Sequence, residues 1–197
     1  MKNALFAILI AAALLLSGCA SKPLNEGADS NGRAYRGADN AKLTIYEYSD
    51  FECPYCGKVQ PALDEVMRQY SDRVRLEFRH YPLPIHPRAE PSAIAAVCAE
   101  RQGKFWAMYD KLFSNQQALE DADLQKYAKE IGLDEANFSS CVASGSAKAA
   151  VQADMQEAAS IGVQATPTFI IGETIVKGAQ SADKFRSAID NELAKLR

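Results

Sequence analysis

Two cysteines separated by two residues, Cys53-Pro54-Tyr55-Cys56, are the residues whose type and spacing point most directly to a reaction. The preceding run, Leu43-Thr44-Ile45-Tyr46-Glu47-Tyr48-Ser49, reads as a strand, and the residues after the pair read as a helix. Cys53 then falls at a helix N-cap with Pro54 at the first helical position, where no N–H is needed. Its sulfur would face unpaired backbone N–H groups and the positive end of the helix dipole, an environment that stabilises a thiolate. The expected chemistry is reversible thiol–disulfide exchange, with Cys53 as nucleophile and Cys56, one turn further in, as resolving thiol. The competing reading is half a zinc site. The chain has no second CxxC, and its only histidines are His80 and His86, which flank a proline-rich turn and read as structural or surface groups. No metal and no cofactor beyond the dithiol itself is expected.

Glu47 lies six residues before Cys53 and shares strand parity with Leu43 and Ile45, so its carboxyl should face the buried side below the dithiol. A desolvated carboxyl has a raised pKa and could accept or deliver the Cys56 proton. The alternative is a carboxylate escaping to water at a sheet edge.

The elements that must position these groups follow from periodicity. A helix after Cys53 carries Val59, Leu63, Val66, Met67 and Tyr70 on one face and is interrupted by Pro61, which should kink it. Val74 to Tyr81 reads as a second strand, ended by Pro82, Pro84 and Pro87. From about Arg88 to Ile161 the chain reads as almost entirely helical. Strand signals return at Thr168–Ile171 and at Thr174–Val176, with Gly172-Glu173 as a tight turn, and Phe185, Ile189, Leu193 and Leu196 mark a last helix. The order β, α, β, helical block, β, β, α makes this an α/β chain with an inserted all-helical subdomain.

The N-terminus is of another kind. Lys2 precedes an unbroken apolar run from Ala4 to Leu16, shorter than the roughly 20 residues a membrane span needs, so residues 1–18 read as a signal peptide. The run ends in Leu16-Ser17-Gly18-Cys19, which resembles the lipobox of bacterial lipoproteins; Cys19 would be lipidated and become the new N-terminus. Residues 19–42 are polar and rich in Gly, Asn and Asp, and read as a lipidated end followed by a flexible tether. Export places the remaining thiols in a disulfide-permissive compartment. Besides Cys19 and the dithiol the chain has Cys98 and Cys141, each on an apolar helical face, Ile94/Val97/Cys98 and Phe138/Cys141/Val142. A structural disulfide between them is expected; two buried free thiols are the alternative. The formal net charge of −3 gives no polyanion-binding surface, so nucleic acid is not an expected partner.

Taken together, the order of elements and three motifs resemble the DsbA family of exported thiol–disulfide oxidoreductases, a thioredoxin fold with a helical insertion. Asp50-Phe51-Glu52-Cys53-Pro54-Tyr55-Cys56 is similar to the family's active-site segment, and Thr166-Pro167-Thr168 to its cis-proline loop. Gly103-Lys104-Phe105-Trp106 is similar to a recurrent segment of its insertion. The resemblance covers about residues 40 to 197. It implies thioredoxin-fold parts at 43–86 and 163–197 around a helical insertion at 87–162, an acid at the position of Glu47, and a cis peptide before Pro167. It also implies that Pro54, Tyr55, Thr166 and Pro167 contact substrate, with the Thr166 backbone pairing to an extended segment beside Cys53. Several acyl chains on Cys19 and a periplasmic face of the outer membrane, in a two-membrane cell, follow from the same analogy.

Direction is less constrained. Tyr55 brings no positive charge, and Glu52 should raise the Cys53 pKa, which argues for a milder oxidant. The family's isomerases carry an N-terminal dimerisation domain, for which Cys19 to Leu43 is too short and too polar. The expectation is a monomeric, lipid-anchored dithiol oxidase acting on exported cysteine-containing proteins and regenerated by a membrane redox partner. An envelope thiol reductase of the same fold is the alternative, and a non-redox peptide-binding chaperone a third.

Overall fold

The computed structural model describes residues 23–196, so the apolar leader and Cys19 lie outside the described residues. In chain order the elements are β1 (Glu26–Ala28), β2 (Ala34–Gly37), β3 (Leu43–Ser49), α1 (Pro54–Gln69) and β4 (Val74–His80). Five helices follow, α2 (Ala89–Glu100), α3 (Phe105–Ser114), α4 (Asp121–Glu130), α5 (Glu135–Ala143) and α6 (Ser146–Ser160). The chain then returns to the sheet with β5 (Thr168–Ile171) and β6 (Thr174–Lys177), and ends in α7 (Ala182–Lys195). The strands form one sheet in the order β1-β2-β4-β3-β5-β6, an α/β architecture with the helical block inserted between β4 and β5.

The sheet order explains the residue pattern of β3. It is central, pairing parallel with β4 through the α1 crossover and antiparallel with β5, so both of its faces are covered. Leu43, Ile45, Glu47, Tyr48 and Ser49 are all buried. Helix α1 packs Cys56, Val59, Leu63, Val66 and Met67 inward despite Pro61 within it. The dithiol thus sits where the central strand hands over to a helix anchored along its length.

The reading of residues 19–42 as a flexible tether needs correction for its described part: β1 and β2 extend the sheet past β4. Strands this short carry little apolar periodicity, and these are held by other means. The Arg36 guanidinium lies 4.6 Å from the Trp106 ring centroid and pairs with both Glu26 and Asp110, while Arg75 covers Tyr35. Gly37, at φ 122°, lies so close to β4 that a Cβ there would meet Val74 O at 2.4 Å.

In the helical block, α2 buries Ala89, Ser92, Ala93 and the run 95–99, and packs against α3, α4, α5 and α6. Cys98 and Cys141 are disulfide-bonded, with S–S 2.09 Å and Cα–Cα 5.8 Å, which ties α2 to α5. Of the apolar face read on α5, only Phe138 is fully buried; Val142 is exposed. Helix α5 is short and meets the block at one edge, so a single aromatic suffices to seat it.

Candidate active site

The turn Asp50–Cys53 connects β3 to α1. Cys53 is the N-cap of α1, extended at φ −67°, ψ 121°, with Pro54 beginning the helix. The Cys53 carbonyl accepts the N–H groups of Cys56 at 3.0 Å and Gly57 at 3.2 Å, which closes the first turn under the sulfur. Both thiols are free and buried, Cys53 4% exposed and Cys56 not at all. Across from them the Thr166-Pro167 peptide is cis, and the Cys53 thiol donates to the Thr166 carbonyl at 3.8 Å. Pro54 and Tyr55 stand at the exposed rim, Tyr55 at 63%, whereas Pro167 is buried.

The two sulfurs differ sharply. The Cys53 pKa is lowered to about 5, first by a hydrogen bond from the Cys56 thiol and against the cost of burial. Thr166 and the N–H groups of Cys56 and Tyr55 lower it further. Cys56 moves the other way: burial, and then the neighbouring Cys53, raise its pKa far above the ordinary thiol range. One proton held between two sulfurs belongs almost wholly to the inner one.

Glu47 is fully buried on β3, away from any sheet edge, opposite Phe78 and Phe169 on the flanking strands. Burial raises its pKa to about 7, while hydrogen bonds from Tyr109, Ser49 and Gln60 hold it back. Tyr109 OH donates to Glu47 Oε2 at 3.0 Å and Gln60 Nε2 donates to Oε1 at 3.2 Å; the same Nε2 reaches the Cys56 carbonyl at 2.9 Å. The Ser49 hydroxyl acts on both Glu47 and Cys56, lowering each pKa, although it completes no hydrogen bond of good geometry. Behind Tyr109 and Gln60 lies a cavity of about 440 Å³ that Arg36 and Asp64 also line.

Three supporting groups take no role from the sequence motifs, although Asp50 opens the active-site segment. Gln116, after α3, donates through Nε2 to the Phe51 and Cys53 carbonyls, both at 2.8 Å. Tyr109 follows Gly103-Lys104-Phe105-Trp106 by one turn, so that segment matters for the tyrosine it aims beneath the dithiol. Trp106 packs edge-on against it, and Phe105 lies tilted beside it. The third is Asp50, whose buried carboxylate is 2.6 Å from His86 Nδ1. Its only signal was adjacency to the CxxC. His80, by contrast, is buried among Phe51, Phe78 and Phe105, and burial lowers its pKa to about 4, so it is neutral. Among the described residues no cluster of three His, Cys, Asp or Glu side chains is placed to hold a metal ion.

A thioredoxin family model matches residues 29–191. A thioredoxin-like oxidoreductase from Silicibacter pomeroyi DSS-3 superposes with a TM-score of 0.76 at 23% identity, covering 83% of this chain and 93% of that one. The thiol-disulfide exchange protein alpha-DsbA2 from Wolbachia pipientis does so with a TM-score of 0.72 at 19% identity, over 80% of this chain and 85% of that one. A curated relative, Na(+)/H(+) antiporter NhaA 3 of Salinispora tropica, is 37% identical over 163 residues, which is 82% of this chain and 25% of the relative. The chain spans about a quarter of the length of such relatives. Among the described residues no helix is long and apolar enough to cross a membrane.

Proposed function

Because this chain belongs to the thioredoxin family and carries the fold of its DsbA-type members, we propose that it is a thiol–disulfide oxidoreductase acting as a dithiol oxidase on exported proteins. The observation that carries the reading is the unequal placement of the two thiols: Cys53 caps α1 beside the Thr166 carbonyl, which goes with a pKa lowered to about 5, and Cys56 is wholly buried behind it, which raises its own. A stabilised Cys53 thiolate favours the reduced dithiol, and the disulfide is correspondingly the stronger oxidant. This value lies between those of thioredoxin, about 7, and DsbA, about 3.5. Glu52, next to Cys53, has its Oε2 engaged by the Arg88 N–H at 2.5 Å, which supports the oxidase reading against the repulsion expected of that carboxylate.

In the proposed cycle a substrate thiolate attacks Cys53 Sγ of the Cys53–Cys56 disulfide. The S–S bond breaks, and Cys56 leaves with the electron pair and takes up a proton, a role this reading gives to Glu47, which is buried with a pKa of about 7 and linked through Gln60 Nε2 to the Cys56 carbonyl. A second substrate thiolate then attacks the substrate sulfur of the mixed disulfide and releases Cys53 as thiolate. Two electrons pass to the dithiol, and a membrane redox partner removes them. Thr166 and Pro167 would hold the substrate segment, with Pro54 and Tyr55 at its rim.

The leader and Cys19 place the protein, in this reading, as a lipid-anchored monomer of the cell envelope, with no metal, no further cofactor and no nucleic acid partner. The antiporter name belongs to proteins that this chain matches over about a quarter of their length. The test of direction is the equilibrium of the purified protein with glutathione. A potential toward about −120 mV supports the oxidase, and one near about −270 mV transfers the same site to the reductase reading. Trapping with Cys56→Ala in cells, followed by identification of the mixed disulfides, reads clients and partner. Incorporation of labelled fatty acid that Cys19→Ser abolishes tests the anchor.

A further inference from the structure

Neither residue between the cysteines is cationic, yet the fold brings a histidine to the turn that leads into Cys53. The loop from Tyr81 to Arg88, between β4 and α2, is stitched to the turn that carries Cys53. Asp50 Oδ2 accepts the Leu83 N–H at 2.9 Å and lies 2.6 Å from His86 Nδ1. Asp50 Oδ1 accepts the Glu52 N–H at 2.8 Å, and the Asp50 carbonyl accepts the Cys53 N–H at 3.2 Å. His86 and Cys53 are therefore held by the same buried residue. The Asp50 side chain is wholly inaccessible to solvent, and a buried carboxylate requires a counter-charge; the group bonded to it that can carry one is His86.

We propose that the Asp50–His86 pair is the cationic partner of the Cys53 thiolate, a positioning pair that favours the reduced dithiol and couples its formation to a proton on His86. The proposal rests on the reading that Cys53–Cys56 cycles between disulfide and dithiol. Burial opposes charge on His86, but the bond to Asp50 and the negative charges of Asp50, Cys53 and Glu52 outweigh it and raise its pKa. The charges that act on the ring are those three, and its own loop also carries Arg88. The Arg88 guanidinium is engaged by Glu120, just before α4. His80, at the end of β4, is neutral, and the segment 164–167 carries no titratable side chain.

The balance is explicit. Two electrons from substrate thiols break the Cys53–Cys56 bond, leaving Cys53 as thiolate and Cys56 as thiol with one proton. Where pH lies between the His86 pKa values of the two states, His86 takes a second proton on the ring nitrogen that does not face Asp50. By linkage, the thiolate raises the His86 pKa by as much as the imidazolium lowers that of Cys53.

The deciding experiment needs no variant. The His86 ring resonances are titrated by NMR in the disulfide and dithiol forms, with Cys98–Cys141 shown intact by mass in both. The expected result is a His86 midpoint higher in the dithiol form by about half to one pH unit, the scale for opposite charges near a partly exposed pair. Equal midpoints in the two forms overturn the proposal, because a histidine that only braces the loop does not sense the redox state. Independently, His86→Gln, checked for folding by circular dichroism, should raise the Cys53 thiolate midpoint by a similar amount. It should also shift the glutathione equilibrium toward disulfide about three- to tenfold. An unmoved midpoint in a folded His86→Gln protein likewise overturns it. Should Cys53–Cys56 fail to cycle at all, the oxidoreductase reading falls first and this proposal with it.

Discussion

Glu47→Gln should make the protein more stable at neutral pH and leave it nearly unchanged in acid. The Glu47 carboxyl titrates at about 7 in the fold against 4.5 for an unperturbed group, with burial as the leading cause. At about 1.4 kcal/mol per pH unit, that displacement is worth about 3 kcal/mol. The sign follows from proton counting. Below about pH 4.5 both folded and unfolded chains hold the proton, and there is no penalty. As pH rises from about 4.5 to 7 the unfolded chain releases it while the folded chain retains it, so stability falls through that window. Above 7 both are ionised and the cost is constant. Gln cannot titrate, so the stability difference between Glu47→Gln and the parent should grow by about 3 kcal/mol between pH 4.5 and 8. The amide can still accept from Tyr109, but Gln60 must turn its own amide; that adds an offset without pH dependence. The measurement is urea unfolding at both pH values in a Cys53→Ser/Cys56→Ser background, which keeps Cys98–Cys141 closed and removes the dithiol's own titration. A difference of the same size at both pH values would refute the assignment of a buried, proton-holding Glu47.

Alkylation of the reduced dithiol by iodoacetamide should rise with a midpoint near pH 5 and modify Cys53 alone, read by peptide mass; a midpoint near 8.5 would show that Cys56 and Thr166 do not stabilise the thiolate. Opening Cys98–Cys141 with a double alanine variant should lower stability by about 4 kcal/mol for a separation of 43 residues, by the chain-entropy estimate, without changing dithiol turnover. Gln116→Ala removes two donors from the turn carrying Cys53 and should cost about 1–2 kcal/mol in urea unfolding.

How far the sequence carried the reading depends on the range of the signal. The strand–CxxC–helix unit is local: parity places Glu47 inward, and Pro54 marks the helix start, both within ten residues of the dithiol. The order of elements yielded the α/β class because helical and strand periods differ within each segment. What sequence could not show came from across the fold. Gln116 lies 63 residues from Cys53, Tyr109 lies 62 from Glu47, and His86 lies 36 from Asp50. A polar side chain held by one distant partner leaves no periodic trace, so the sequence places His86 no more closely than as a structural or surface group, and its bond to Asp50 is a property of the fold. Residues 23–42 failed for a different reason. Their strands are stabilised by Arg36 on Trp106 and Arg75 on Tyr35, and charge–ring contacts do not register in an apolar pattern.

The values around the dithiol also set an order of events. With Cys53 near 5 and Glu47 near 7, a neutral solution holds the first almost wholly ionised and the second about half protonated. An attacking substrate thiolate therefore displaces a Cys56 that has a proton source nearby about half the time, while Cys53, when it leaves in the second step, needs none. From neutral pH upward Glu47 loses its proton while Cys53 is already ionised and Cys56 still holds its own. Consequently the step that opens the Cys53–Cys56 disulfide should slow as pH rises through 7, once corrected for substrate thiolate, while the step that releases Cys53 should not. Single-turnover quenching of the mixed disulfide separates the two steps. The pH dependence of the first should disappear in Glu47→Gln; a persistent dependence would assign the proton to a group other than Glu47.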